Sequence, residues 1–251
     1  LEPINEELIS CIIHSKRRFN YDEVDSLINQ EFECEKEIKN WLMPLFELTQ
    51  KLKEKRLKNG FDFHTLELKM GLDKNGDISS TRFESSTPSH SLIEECMLLA
   101  NKAAAKRINK GIFRNHAPAD LKKINTLLDD LAVLGIEVQY DGDLVAMIAK
   151  IQAKASELGI REDVDKLIIK AQKRAEYASN CTGHFGLGFE FYSHFTSPIR
   201  RYSDLILHRI LKANDDAKFT NYLMLGIDEL CSNLNILERE ADKVAWDFMD
   251  R

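Results

Sequence analysis

Proline and glycine are scarce in this 251-residue chain, at 5 and 11 residues, and no Pro/Gly linker, low-complexity stretch or internal repeat interrupts it. Two independently folding domains on a flexible linker are therefore not expected, and residues 1–251 read as a single domain. Nor is there a run of about 18 apolar residues, the length a membrane-crossing helix requires. The opening LEPINEELIS has neither the basic nor the apolar region of a secretory signal. Cysteines are few and scattered: Cys11, Cys34, Cys96, Cys181 and Cys231 form no CxxC pair and have no histidine-rich partner spacing. That pattern excludes a zinc site and a disulfide framework, and points to reduced thiols in a cytoplasmic protein. Positive charge is in deficit, 35 Lys and Arg against 41 Asp and Glu, for a net −6. A surface coated in base for non-specific nucleic-acid binding is excluded, whereas a local basic channel is not.

What the chain does contain is a soluble globular balance, 43% hydrophobic and 30% charged. The apolar, β-branched LISCIIH (residues 8–14) predicts a strand. YDEVDSLI after Asn20 predicts a short amphipathic helix. Ile38, Leu42, Leu45, Phe46, Leu48 and Leu52 follow helical spacing within 35–57, a helix closed by Asn59-Gly60. HTLELKM and DISSTRFE flank Asn75-Gly76, a tight-turn pair that predicts an antiparallel hairpin. The same DKNGD string is no calcium loop, because its glycine comes too early and no glutamate closes it. Helices are expected over 91–109, 119–134, 143–158, 161–179, 198–213 and 217–248. The fold class is α/β (α+β) and helix-rich, with one small antiparallel hairpin and several packed helices.

The most informative stretch is GHFGLGFEFYSHFTSPIRRYSDLILHRIL, from Gly183 to Leu211. Ser197-Pro198 resembles an N-cap followed by proline at the first helical position. Arg200 and Arg201 would then occupy the first turn, where the helix dipole already carries positive charge and disfavours them. Two guanidinium forks beside free amide groups make an anion site, and phosphate is its natural guest. The bland alternative is an Arg200–Asp204 ion pair one turn apart, which leaves Arg201 unexplained. His194 and His208 are either bases or satisfied structural groups. Gly183, Gly186 and Gly188 permit close backbone approach to a ligand or a neighbouring strand. Their spacing is not that of a nucleotide P-loop.

HFTSPIRRYSDLILHR (His194–Arg209) resembles the hallmark segment of the catalytic (RNB) domain of the ribonuclease R/ribonuclease II exoribonuclease family. GHFGL (Gly183–Leu187), RRFNYDEV (Arg17–Val24), SLIEECMLLAN (Ser91–Asn101) and FRNHAP (Phe113–Pro118) agree with it in order along nearly the whole chain. The resemblance implies 3′-to-5′ hydrolysis of single-stranded RNA to 5′-nucleoside monophosphates. It makes Arg200 the group that stabilises charge on the scissile phosphate, with Arg201, His194, Arg114 and His116 among the RNA-binding residues. Tyr21 would pack on the terminal nucleotide, and Glu94 or Glu95 would contact its sugar. Ser91 and Glu94 also fit a capping box, which favours Glu95 for the sugar contact. Glu238 and Arg239 resemble a further acidic–basic pair of the family.

The family uses magnesium held by an aspartate run (D-x5-D-x-D-D) that no segment of this chain matches. Asp129-Asp130 and Asp215-Asp216 read as solvated surface. The expectation is thus the C-terminal two-thirds of the catalytic domain, with no metal ligands of its own. Its expected partners are single-stranded RNA, an RNA helicase, and the N-terminal part of the same protein, with no membrane. The alternative is a non-catalytic RNA- or protein-binding module of a degradation complex.

Overall fold

The computed structural model describes residues 3–31, 35–64, 66–213 and 217–249. It is α+β and helix-rich, with two small antiparallel sheets, and it divides into two compact units: Leu1–Cys96 with Leu121–Gln172, and Met97–Asp120 with Lys173–Arg251. The chain passes between the units at three points, and the first, at Cys96/Met97, falls inside a helix.

In the first unit α1 (Tyr21–Ile28) begins with a full capping box: Glu23 N donates to Asn20 Oδ1 at 2.8 Å and Asn20 N donates to Glu23 Oε2 at 2.9 Å. α2 (Lys36–Arg56) ends with Lys53, Lys55 and Arg56 in its last turn, where cations suit the negative end of the dipole. Ile28, Ile38 and Leu42 bury their apolar stripes with Leu92, from the first half of α3 (Pro88–Lys106). β1 (Leu66–Leu72) and β2 (Ile78–Ser85) form the expected hairpin, with Leu66 opposite Ser85 and a register shift at Gly71/Leu72. Asp73 Oδ1 accepts from Asn75 N and Asp77 N, so DKNGD is a self-bonded turn. α4 (Leu121–Val133), α5 (Leu144–Glu157) and α6 (Arg161–Ala171) bury Ile124, Leu131, Met147, Ile148, Ile151, Val164 and Ile168. Each such side chain contributes about 1.5–3 kcal/mol of transfer free energy. Within these helices the fully buried Asp165 accepts from His64 N, Gln152 Nε2 and Arg161 Nε, at 2.8, 2.8 and 2.9 Å.

The second unit packs the C-terminal half of α3 with β3 (Phe113–Asn115), β4 (Glu176–Ala178), α7 (Tyr202–Lys212), α8 (Ala217–Met224) and α9 (Ile227–Met249). Ala104, Ala105, Ile112, Phe113, Leu207, Ile210 and Ile227 form its core.

Several sequence expectations are corrected. Residues 8–14 form no strand: they pair with no described segment and leave Ile9, Ile12 and Ile13 exposed. β-branched sequence supplies propensity, but a strand needs a partner edge. The helix expected over 161–179 stops at Ala171, and Glu176–Ala178 pairs antiparallel with Phe113–Asn115 instead. The helix expected over 217–248 is two, divided at Leu225-Gly226, where Gly226 takes φ +71°. Asp215, Asp216 and Cys34 lie outside the described residues.

Candidate functional site

The loop from His194 to Arg201 departs most from expectation. Ser197 does not cap α7. Pro198–Arg200 make a separate turn, with Arg201 N donating to Ser197 O at 3.0 Å, and Arg201 is extended (φ −120°, ψ 119°) immediately before the helix. The reason is Asp204. Its Oδ1 accepts from Ser197 N at 2.7 Å and from Arg201 Nη2 at 2.8 Å, so the loop folds back onto the first turn of α7 rather than extending it. The ion pair is therefore Arg201–Asp204 rather than the alternative Arg200–Asp204, and the side chain of Arg200 is exposed with no hydrogen bond or ion pair to a described residue.

α3 holds the other end of the loop. The amide oxygen of buried Asn101 accepts from Phe195 N and Thr196 N, at 2.9 and 3.1 Å, while its Nδ2 donates to Tyr192 Oη at 3.2 Å. His208 stacks on Phe195 with ring centroids 4.1 Å apart, and its Nε2 donates to Phe195 O at 2.9 Å. It is the satisfied structural histidine of the two alternatives.

Next to the loop lies a polar chain. His194 Nδ1 is 2.8 Å from Tyr177 Oη, and Ser203 Oγ donates to Asp204 Oδ2 at 3.1 Å while lying 3.2 Å from Tyr177 Oη. Burial, then the charges of Arg201 and Arg114, push the His194 pKa down to about 3, so the ring is neutral. Arg114 covers the Tyr177 ring, its guanidinium carbon 4.6 Å from the centroid, and donates twice to the Glu238 carboxylate at 2.9 Å. The family pair Glu238–Arg239 is thus divided, since Arg239 bonds Glu176 instead, at 3.0 Å.

His116 is committed to backbone on both sides: Nε2 donates to Lys173 O at 2.8 Å and Nδ1 accepts from Gly186 N at 2.9 Å. His184 lies 5.0 Å away between ring centroids, its pKa lowered to about 3, by burial first and then by His116. The glycine-rich segment packs against its neighbours here. Gly183 takes φ +88° and its carbonyl accepts from His116 N at 3.0 Å.

The first unit holds the remaining candidates. Tyr21 is 45% exposed and stacks on His90 at 3.6 Å and 16° between ring planes. Glu95 is buried in an ion pair with Arg56, whose Nη2 and Nε lie 2.6 and 3.0 Å from Oε1. Glu94 is half-buried, and burial, then Asp62 and Glu95, raise its pKa. Ser91 and Glu94 are no capping box, because α3 already starts at Pro88 and Ser91 N donates to Thr87 O at 3.0 Å. The argument that set Glu94 aside fails with it.

Asn101, Tyr177 and Ser203 are residues that sequence reasoning missed, and Asp204 it paired with the other arginine. Asn101 and Asp204 stood inside the recognised motifs, but nothing in their spacing says that they bond the same loop. Among the described residues no three of His, Cys, Asp and Glu are grouped to hold a metal ion. The magnesium that the resemblance implies therefore has no cluster among them, and no step is routed through it.

The chain is similar to known proteins along nearly its whole length. Ribonuclease R of Helicobacter pylori is 37% identical over 255 residues, covering 98% of this chain and 40% of the relative. Mycoplasma genitalium RNase R in complex with ribose-methylated single-stranded RNA superposes with a TM-score of 0.85 at 26% identity, over 94% of this chain and 40% of that one. The same enzyme in complex with double-stranded RNA gives 0.81 at 27% identity, over 89% and 42%. The chain thus spans about two-fifths of the relatives it matches. A family model described as the RNB domain matches residues 1–214, which take in every candidate residue except Glu238 and Arg239, and the chain belongs to the RNB-domain family.

Proposed function

We propose that this chain is part of a 3′-to-5′ exoribonuclease that hydrolyses single-stranded RNA to 5′-nucleoside monophosphates. The observation that carries the reading is the division of labour at the loop. Arg201 is locked to a buried carboxylate, while Arg200 stands exposed and without a partner among the described residues. A cation held on a fixed loop without an internal counter-ion suits an incoming phosphate and the charge that grows on it in the transition state. Arg201 Nε is buried without a partner, a donor that a phosphate oxygen would satisfy. The Ribonuclease R relatives, and the RNA bound by their solved structures, support the same assignment.

Tyr21, with its exposed ring backed by His90, would stack on a base, worth about 1–3 kcal/mol. Glu94 would accept from a ribose 2′-hydroxyl, the group that separates RNA from DNA. Glu95, His116 and Arg114 are positioning groups in this reading, since the described structure commits each to an internal partner. Residues 1–251 belong to one catalytic domain, supported by a family match that runs through both compact units. Magnesium, where bound in the whole protein, would polarise the phosphate and activate water. A cytoplasmic setting is supported by the free thiols of Cys11, Cys96, Cys181 and Cys231.

The test uses the full-length protein with 5′-labelled single-stranded RNA and magnesium. Arg200→Ala should reduce turnover far more than RNA affinity, and equal losses in both would count against the role. The lack of a metal cluster among the described residues favours a second reading, a non-catalytic module that holds RNA or a helicase. Failure of the full-length protein to shorten RNA from the 3′ end would favour it.

A further inference from the structure

The mechanism above leaves one buried polar group beside the arginine loop without a task. Tyr177 is 8% exposed, is covered by the Arg114 guanidinium, and has two polar neighbours, His194 Nδ1 at 2.8 Å and Ser203 Oγ at 3.2 Å. Ser203 gives its single proton to the Asp204 carboxylate, 3.1 Å away, so the Tyr177 phenol proton has two acceptors in reach, and His194 Nδ1 is the nearer. The shorter contact is also the chemically better one, because a phenol O–H is a stronger donor than an imidazole N–H. Nδ1 is then the bare nitrogen, and the single proton of the neutral ring resides on Nε2. No described residue bonds Nε2. The ring belongs to the loop that carries Arg200 and Arg201, and both guanidinium groups act on it electrostatically, as does Arg114.

Resting on the RNA reading, we infer that His194 is a neutral phosphate ligand, donating from Nε2 to a phosphodiester oxygen, with Tyr177 as the residue that sets its tautomer. A fourth cation beside Arg114, Arg200 and Arg201 would be repelled by them. A neutral donor adds a hydrogen bond to the anion without that cost. Histidine is thus neither a base nor a counter-charge here. Its depressed pKa accords with a contact that does not weaken between pH 5.5 and 8.

The first test needs no RNA. Long-range 1H–15N correlation on the chain labelled with 15N-histidine, with His194→Gln to assign the signal, should show Nδ1 bare and Nε2 protonated from pH 7.5 to 5.5. A proton on Nδ1, with Tyr177 donating to Ser203 instead, overturns the inference, and so does an imidazolium. The second test is fluorescence anisotropy with a labelled single-stranded oligoadenylate. His194→Gln places an amide N–H2 near the Nε2 position and should bind within about twofold of the unaltered chain. His194→Asn keeps an acceptor for Tyr177 but offers no outward donor, and should lose about tenfold, as expected for one hydrogen bond to a charged group. If His194→Asn binds as tightly as the unaltered chain, the phosphate contact is refuted while the RNA reading stands. If the unaltered chain binds no oligoadenylate, the RNA reading falls and the contact falls with it.

Discussion

Arg201 places its Nη2 2.8 Å from Oδ1 of Asp204, a carboxylate with no exposed surface, whereas the side chain of its neighbour Arg200 is exposed and bonds no described residue. The same carboxylate oxygen accepts from Ser197 N, so one acid fixes both ends of the Ser197–Arg201 turn. Two adjacent arginines of one motif therefore have separate physical tasks.

Arg201→Ala strands a buried carboxylate and is expected to destabilise the chain by about 3 kcal/mol or more. Arg200→Ala changes an exposed side chain and should stay within about 0.5 kcal/mol. Denaturant midpoints at fixed m-value measure both. In the full-length protein Arg200→Ala is expected to cost about 100-fold or more in kcat, as for loss of one preorganised transition-state donor. A stable Arg201→Ala variant would remove the basis for the division.

The two glutamates of α3 should separate in the same manner. Glu95→Ala leaves the Arg56 guanidinium without its main partner in a buried site, and a loss of about 3–5 kcal/mol is expected. Arg56→Met with Glu95→Leu should recover much of it, because an apolar pair escapes the desolvation cost. Glu94→Gln should leave the melting temperature nearly unchanged and narrow the preference for RNA over DNA in competition binding. Loss of that preference in a folded Glu95→Gln variant, with none for Glu94→Gln, would reverse the assignment.

Stability should fall as pH drops below about 6.5, the ordinary histidine value. His184 and His194 stay neutral in the folded chain, with pKa values of about 3, while the unfolded chain protonates them near their ordinary value. Between those values the unfolded state binds more protons, so their contribution is complete above the unfolded pKa and is lost progressively toward the folded one. The slope is at most about 1.4 kcal/mol per pH unit for each histidine. The raised pKa of Glu94 acts in the opposite sense, just above the usual carboxylate range. Urea denaturation from pH 7.5 to 5, repeated on His184→Gln, reads the slope; an unaltered slope in the variant would clear His184 of the effect.

Gly183 and Gly226 both take positive φ, but only one of them is crowded. A Cβ on Gly183 would lie 3.1 Å from Phe189 O, whereas one on Gly226 meets nothing within 4 Å. Gly226→Ala should cost about 1 kcal/mol, the backbone term alone. Gly183→Ala should cost more, because the carbonyl it meets belongs to the backbone that bonds His184 N. Equal thermal shifts would show that the Gly183 loop yields without cost.

The hairpin about Asn75-Gly76, the short helix after Asn20 and the periodic helices were legible because each is specified by residues within a few positions of one another. The order of the motifs was enough to place the chain in its family and to single out Arg200 and Arg201. The strand at residues 8–14, the full-length helix at 161–179 and the N-cap at Ser197 were misread from equally local signals. In each case distant partners outweighed propensity. The first pairs with no described segment, Phe113–Asn115 pairs with the end of the second, and Asp204 takes the Ser197 amide from the third. Which arginine is free, which glutamate is buried and which histidine nitrogen is bare depend on Asp204, Arg56 and Tyr177. Arg56 and Tyr177 are 39 and 17 residues from the groups they govern, and Asp204 acts through folding the loop back. Sequence determined which chemical groups are present and in what order. Tertiary structure decided their availability, because a charge or a proton is free only when no folded neighbour has claimed it.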